Sequence, residues 1–258
     1  MMHDIHHIAI VGSGNVANYM GHLLKDNGFI IDKIISRNQL SGKTLADELN
    51  SSFSVELVLT ADIDLVLLCV NDDEIALVSQ SIPKGDFVVC HCAGSIPMQV
   101  LDQHVLHGVL YPLQSIHRDM ELTSVEVPFL IEANIGELLE HLQQVLNLCH
   151  KESYVVDSQQ RLYYHLAAVF ANNFTNAMMM AAEDIAEGFK LDFNRLKPLM
   201  KQTFQRIDMM SPHDVQTGPA KRNDGATMQK HLELLSTQKD MQTLYQSVSA
   251  YISSKFKK

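Results

Sequence analysis

The clearest chemical signal is a glycine-rich turn that follows a predicted strand and opens a predicted helix. Its residues are Gly12, Ser13, Gly14, Asn15, Val16 and Ala17. The first glycine permits a tight turn, the second lets the backbone approach a pyrophosphate, and the small third residue lets the helix lie close to the strand. The N–H groups at the start of the helix favour a bound phosphate. The turn therefore predicts a dinucleotide site, with a ligand-free strand–helix turn as the alternative.

The end of the second predicted strand indicates which dinucleotide is bound. An NAD site usually carries Asp or Glu about 20 residues after the glycines, where it binds the ribose 2′-hydroxyl. This region instead contains Ser36 and Arg37, and Asp32 comes too early. Ser36 can hydrogen-bond a 2′-phosphate and Arg37 can pair with it. We therefore predict NADP rather than NAD, with a solvated loop arginine as the alternative.

Two further strand ends could contact the same cofactor, because ligands of such sheets bind beyond the carboxyl ends of the strands. The first carries Val70 and Asn71. Asn71 also forms a capping-box pattern with Glu74, so a cofactor contact and a helix cap have equal weight. The second strand end carries Ala93 and Gly94, whose small size would let a nicotinamide ring lie against the backbone. A turn and cap is the alternative there.

His165 stands out in the second half of the chain because it lies among Ala, Val, Met and Phe. At 100° per residue, Asn172 and Asn176 lie within about 20° of it on a helix, and Asn173 lies about 80° away. A histidine–asparagine stripe that faces a cleft could orient a substrate and supply a proton. The alternative is a hydrogen-bonded stripe in a core or an interface.

A loop before a late helix contains the basic pair Lys221 and Arg222. Arg222 could clamp an anionic substrate or a cofactor phosphate, with Asp224 holding the guanidinium group. Asp224 could instead cap the helix that follows. The predicted catalytic residues are thus His165, Asn173, Arg222 and Asp224.

The elements that must position these residues follow from the apolar pattern. Near-continuous apolar runs, typical of buried parallel strands, predict strands at 5–11, 29–36, 64–70, 87–92 and 107–111. Helical patterns between the early strands cover 15–27, 39–49 and 72–81. This alternation predicts a doubly wound parallel sheet, which a strand at 127–131 and a helix at 136–149 complete.

The strand signal ends near residue 157. One long helix is predicted over 159–189, and further helices over 194–209 and 227–255, the last broken near 236–237. We therefore predict two domains, a Rossmann-type dinucleotide-binding domain over 1–157 and an all-α domain over 158–258. The α-helical domain would serve substrate binding and dimerisation.

Composition excludes several classes of function. The 258 residues include 20 Lys and Arg against 30 Asp and Glu, and this net charge of −10 disfavours nucleic-acid binding. No apolar run approaches the ~18 residues of a transmembrane helix, and the N-terminus lacks the pattern of a secretory signal. The four cysteines form no disulfide framework and the 13 histidines show no metal-ligand spacing. We expect a cytoplasmic protein without a membrane or metal.

Six segments together resemble a known family. They lie at 11–17, 70–75, 91–95, 111–114, 165–174 and 217–224. The most specific are His-Leu-Ala-Ala-Val-Phe-Ala-Asn-Asn-Phe at 165–174 and Thr-Gly-Pro-Ala-Lys-Arg-Asn-Asp at 217–224. Over nearly its whole length the chain resembles the bacterial Rossmann-like NADP oxidoreductases with a C-terminal domain of unknown function 2520. These are distant relatives of pyrroline-5-carboxylate reductase and 6-phosphogluconate-type dehydrogenases.

The resemblance implies Asn173 as the motif asparagine, whereas helical geometry favours Asn172. Two positions depart from the family pattern. Tyr111 replaces the usual histidine, which argues against a catalytic role at this position. Asn223 replaces a glycine, which predicts a less tight loop.

We expect an NADP-dependent oxidoreductase that transfers a hydride between the nicotinamide and a small polar, anionic metabolite. Relatives dimerise through such helices, and the Ala- and Met-rich long helix fits a buried interface, so a homodimer is expected. The alternative is a non-catalytic NADP-binding module that senses redox state or regulates a partner. Neither the residues nor the resemblance identifies the substrate.

Overall fold

The computed structural model describes residues 4–60, 62–118 and 126–256. The chain forms two compact units, Met1–Asn173 and Phe174–Lys258. The first unit therefore extends past residue 157, where the strand signal of the sequence ends. Within the described ranges, every helix is too short or too polar to span a bilayer.

A single sheet forms the centre of the first unit. Its strands are β1 His7–Val11, β2 Ile30–Ile35, β3 Ser52–Ser54, β4 Leu65–Leu68, β5 Val88–His91, β6 Leu106–Pro112, β7 Phe129–Ala133 and β8 Ser153–Val155. Their order is β3-β2-β1-β4-β5-β6-β7-β8. Every neighbouring pair is parallel except β6 and β7, which are antiparallel. The predicted doubly wound α/β fold is confirmed, with one antiparallel pair in addition.

Both faces of the sheet are buried, which explains the near-continuous apolar runs. In β4, Leu65 and Leu67 face one core cluster while Val66 and Leu68 face the other, and all four are fully buried. Successive side chains of a strand point to opposite faces, so a strand covered on both sides needs apolar residues at every position.

The described residues of this unit form five α-helices. They are α1 Asn15–Asp26, α2 Gln39–Leu49, α3 Ile75–Ser81, α4 Gly136–Leu148 and α5 Ser158–Ala168. Helix α5 begins at a capping box, in which the Asp157 side chain accepts the N–H of Gln160 and the Gln160 side chain accepts the N–H of Asp157.

A buried ion pair holds α5 against the sheet. The guanidinium of Arg161 is fully buried, pairs with Glu132 on β7 and donates to the carbonyl oxygen of Ile96 at 2.6 Å. The Ser158 hydroxyl joins this cluster, donating to Glu132 Oε2 at 2.8 Å and accepting the N–H of Met98 at 2.9 Å. These contacts make α5 part of the sheet unit.

The second unit is α-helical. After the π-helical segment Val169–Phe174, its helices are α6 Thr175–Gly188, α7 Lys197–Met209, α8 Pro212–Val215, α9 Gly225–Leu234 and α10 Lys239–Phe256. The predicted break near 236–237 falls between α9 and α10. The helix predicted over 159–189 is helical without interruption over 158–188, but its turn at Val169–Phe174 is π-helical and divides α5 from α6. Among the apolar residues that the structure describes in this second unit, only Ala186, Ala220 and Leu235 are buried.

Candidate functional site

The glycine turn lies between β1 and α1, as predicted. Gly12 has a φ of +123°, and a Cβ at this position would lie 2.1 Å from the carbonyl oxygen of Cys69, so no other residue fits. A Cβ at Gly14 would meet no atom within 4 Å, which leaves an open surface over the turn. No side chain caps the start of α1, so its N–H groups can bind an anion.

A cavity of about 950 Å³ opens at the carboxyl ends of β1, β2 and β4. The predicted cofactor residues that line it are Gly12, Ser13, Gly14, Ser36, Arg37, Val70 and Asn71. Asn15, Val16, Ala93 and Gly94 do not line it. The cavity lies where the strand order reverses between β1 and β4, which is the usual ligand position in a doubly wound sheet.

Three serine hydroxyls meet at one end of this cavity. The Ser13 Oγ lies 2.7 Å from the Ser36 Oγ and 2.7 Å from the Ser41 Oγ. Asn38 caps α2 by accepting the N–H of Ser41 at 3.2 Å, and this cap fixes Ser41 in the first turn. Sequence reasoning missed Ser41, although the pattern of a capping asparagine followed by a serine was present.

Arg37 lies at the rim of the cavity, where its guanidinium pairs with the Glu74 carboxylate. The remaining N–H groups of Arg37 are exposed, with 80% of its side chain accessible. The capping box considered for Asn71 and Glu74 does not form, since Asn71 makes no cap bond through its side chain. Asn71 lines the cavity instead.

A second cluster joins the ends of β5 and β6 to α5. The Tyr111 hydroxyl is hydrogen-bonded to Nδ1 of His165 at 3.0 Å, and the two rings meet edge to face with centroids 6.0 Å apart. A Cβ at Gly94 would lie 2.7 Å from both His165 Nδ1 and Tyr111 Cζ. Gly94 therefore makes room for this pair, and a nicotinamide contact at Gly94 stays a prediction.

The surroundings of Tyr111 keep its phenol protonated. Burial raises the pKa of Tyr111, the negative charge of Asp72 raises it further, and the positive charge of Arg161 lowers it less. Asp72 accepts a hydrogen bond from the Ser95 hydroxyl. Asp72, Ser95 and Tyr111 stand at or beyond the carboxyl ends of three neighbouring parallel strands, β4, β5 and β6.

His91 holds the backbone below this cluster. Its Nδ1 accepts the N–H of Ala93 at 3.1 Å. Burial first, and then the charge of Arg161, lower the pKa of His91 to about 3. The ring is therefore neutral and structural at neutral pH. In residues 4–60, 62–118 and 126–256, no three His, Cys, Asp or Glu side chains are placed to hold a metal ion.

The asparagines near His165 lie in the π-helical segment. Asn172 and Asn173 are both exposed. A π-helix closes i→i+5 hydrogen bonds, so the 100° step used to favour Asn172 does not apply there. Asn176, further along on α6, donates to the Met180 sulfur at 3.6 Å.

The basic loop has a defined local structure. Asp224 caps α9 by accepting the N–H of Thr227 at 3.1 Å and its hydroxyl at 2.8 Å, and these two bonds lower the pKa of Asp224. Asp224 forms no ion pair with Arg222 in the described part of the chain. Asn223 has a φ of +55°, a left-handed conformation that favours glycine and that asparagine tolerates. Lys221 donates to the Gln216 carbonyl oxygen at 2.7 Å.

Comparisons with known proteins agree with this architecture. Residues 127–252 match the family described as a domain of unknown function, DUF2520. A crystal structure from Bacteroides fragilis, titled "putative NADP oxidoreductase BF3122", is 33% identical in sequence, covers 97% of this chain and 98% of its own, and has a TM-score of 0.89. No curated protein matches the sequence.

More distant structures share the fold. The 1-pyrroline-5-carboxylate reductase of Streptococcus pyogenes is 14% identical, with 96% of this chain and 98% of its own covered at a TM-score of 0.65. An imine reductase from Aspergillus terreus, solved with NADPH4 and dibenz[c,e]azepine, is 14% identical, with 98% and 99% covered at a TM-score of 0.64. At such identities the likeness concerns the fold alone.

Proposed function

Because this chain belongs to the family of Rossmann-like NADP oxidoreductases with a DUF2520 region, we propose that it is an NADP-dependent oxidoreductase acting on a small polar, anionic metabolite. The bound cofactor supplies or accepts the hydride. The observation that carries this proposal is the cavity at the switch between β1 and β4, whose wall contains the glycine turn, Ser36 and Arg37.

The turn has the features that a pyrophosphate requires. Gly12 closes the turn tightly against Cys69, and the open surface at Gly14 lets phosphate oxygens reach the backbone N–H groups. The uncapped start of α1 adds a favourable dipole. The chain residues that would hold the pyrophosphate are therefore those of the turn at 12–16.

The choice of NADP over NAD is supported at the end of β2. The segment that follows β2 contains no Asp or Glu to bind a ribose 2′-hydroxyl, and the nearby Glu74 carboxylate is paired with Arg37. Arg37 carries five N–H donors and uses one of its nitrogens for Glu74, so others remain for a 2′-phosphate. The hydroxyls of Ser13, Ser36 and Ser41 offer further donors beside it.

Proton transfer is assigned to His165, whose ring is oriented by its hydrogen bond to Tyr111. Asn173 and Arg222 are the residues proposed to orient the substrate and to bind its negative charge. The role proposed for Asp224 is to hold the loop of Arg222 by capping α9. The role of His165 is tested by the His165→Gln substitution described below, and the class of substrate is tested by substrate screening.

We also propose a homodimer in which a second copy covers the helices of the second unit. Large apolar side chains are exposed there, including Leu199 at 63%, Met209 at 77% and Tyr251 at 64%. Exposed apolar surface of this extent usually marks an interface. Light scattering should give about twice the 29.0 kDa of the chain, and a monomer at micromolar concentration would refute the proposal.

A pair of titrations tests the cofactor assignment. We expect NADPH, followed by its fluorescence, to bind more tightly than NADH. Replacing Arg37 by Ala removes charge-assisted hydrogen bonds, so NADPH affinity should fall about ten- to a hundredfold while NADH affinity is unchanged. Arg195→Ala is the matched control, because Arg195 is similarly exposed, at 86%, and does not line the cavity.

The outcomes separate the candidate functions. Equal binding of NADH and NADPH would refute the NADP assignment, and no binding of either would refute the oxidoreductase. Binding of NADPH without oxidation by any aldehyde, ketone or imine would favour the non-catalytic module.

A further inference from the structure

Tyr111 and His165 place two protonatable atoms in contact, and the function proposed above uses only one of them. We propose that Tyr111 is the residue that delivers the proton to the substrate, while His165 stands behind it and restores that proton. The inference rests on the proposed hydride transfer and deepens it. It also assigns a catalytic role to Tyr111, a position at which the replacement of the family's usual histidine argued against such a role.

The placement of the two side chains favours Tyr111 as the donor. His165 Nδ1 is already engaged by the Tyr111 hydroxyl at 3.0 Å. Tyr111 lies on β6 at the carboxyl edge of the sheet, where Asp72 and Ser95 also stand. Asp72 directly follows Asn71, which lines the cofactor cavity. The phenol is therefore the member of the pair that belongs to the same sheet edge as the cavity.

The step balances when the proton passes through both residues. As a carbonyl carbon accepts a hydride, the π electron pair moves to the carbonyl oxygen, which then takes the proton of the Tyr111 O–H. The Tyr111 oxygen recovers a proton from Nδ1–H of His165, and Nε2 of His165 takes one from water. His165 is only partly buried, so solvent can supply this proton. The imidazole stays neutral overall.

This chemistry indicates the class of substrate. A phenol with a raised pKa is a weak acid, which donates well only to a strongly basic atom such as the oxygen of a developing alkoxide. An iminium carbon that accepts a hydride becomes a neutral amine and needs no proton. The pair therefore fits an aldehyde or ketone rather than a preformed iminium ion.

The first test needs no substrate. Ultraviolet difference titration of the wild type against Tyr111→Phe isolates the ionisation of Tyr111, which faces His165, Asp72 and Arg161. We expect the Tyr111 phenol to ionise above the usual tyrosine pKa of about 10. We also expect this pKa to change in His165→Gln. Ionisation at or below about 10, or no effect of His165→Gln, would overturn the coupled pair.

The second test uses NADPH oxidation with glyoxylate, pyruvate and succinate semialdehyde, against the cyclic imine 1-pyrroline-5-carboxylate. Tyr111→Phe should reduce kcat about 10²–10⁴-fold with the NADPH Kd unchanged. His165→Gln should reduce kcat less and shift the pH profile. Tyr154→Phe is the control, because the Tyr154 hydroxyl is likewise hydrogen-bonded to a neighbour, Glu152, but Tyr154 lies on β8.

The results distinguish the two proposals. Turnover that survives in Tyr111→Phe overturns the inference and leaves the proposed function intact. Reduction of the imine but of no carbonyl probe overturns the substrate class. A wild-type protein that binds NADPH and reduces no probe overturns the proposed function and the catalytic role of Tyr111 with it, while the titration still decides whether the pair is coupled.

Discussion

The buried ion pair under α5 should be the most costly polar contact to break. The Arg161 side chain is 0% exposed and that of Glu132 is 11% exposed, so removing the arginine leaves an uncompensated buried carboxylate. We expect Arg161→Met, which keeps the length of the side chain, to cost about 3–5 kcal/mol. For a chain of this size that corresponds to a fall in Tm of about 6–20 °C.

A matched control separates burial from charge. The Nε atom of Arg195 lies 3.8 Å from Oδ2 of Asp192, and the two side chains are 86% and 53% exposed. Because this ion pair is exposed, Arg195→Met should lower the stability by less than about 1 kcal/mol. Adding Glu132→Gln to Arg161→Met should restore part of the loss, because the unpaired charge is then gone. Urea unfolding followed by circular dichroism measures all three. Equal losses for Arg161→Met and Arg195→Met would refute the reasoning.

Two further predictions concern the turn at β1 and the histidine under β5. Gly12→Ala should abolish NADPH binding and destabilise the protein by about 1–3 kcal/mol, whereas Gly14→Ala should weaken binding with little loss of stability, as thermal unfolding and titration will show. The pKa of His91 is lowered to about 3 in the folded state, so the unfolded chain binds the extra proton. Stability is therefore full above about pH 6.5 and falls by about 1.4 kcal/mol per unit as the pH drops towards 3. His91→Gln should flatten this slope in urea unfolding between pH 4 and 6.5, and His6→Gln, an exposed control, should not.

The central strands were predictable because burial on both faces leaves a continuous apolar signal. The edge strands β3 and β8 have three residues each, which is too short for any periodicity. The π-helical turn at Val169–Phe174 was not predictable, because Ala, Val and Phe there continue a helical pattern and propensity alone does not distinguish a π-helical turn.

Pairing between distant residues limited the prediction of the site. The glycine turn and the end of β2 carry local signals, so Gly12, Ser36 and Arg37 were found from the sequence. The contact of Tyr111 with His165 joins residues 54 positions apart, and the pairing of Arg37 with Glu74 spans 37. Such contacts follow from the strand order, which brings separate strand ends to one edge.

The strand order also explains how the proposed cofactor cavity and the proposed proton-donating pair, Tyr111 and His165, would serve one reaction. The cavity uses the ends of β2, β1 and β4, and the pair stands at the end of β6, three strand spacings or about 14 Å beyond β1. Asn71 and Asp72 are consecutive residues after β4, and the first lines the cavity while the second acts on Tyr111. If a dinucleotide were held with its pyrophosphate on the turn at 12–16 and its 2′-phosphate at Arg37, its other end would extend past β4. The reacting carbon would then approach the sheet edge that carries Tyr111, which is why a substitution at this position should affect turnover and leave the affinity for NADPH unchanged.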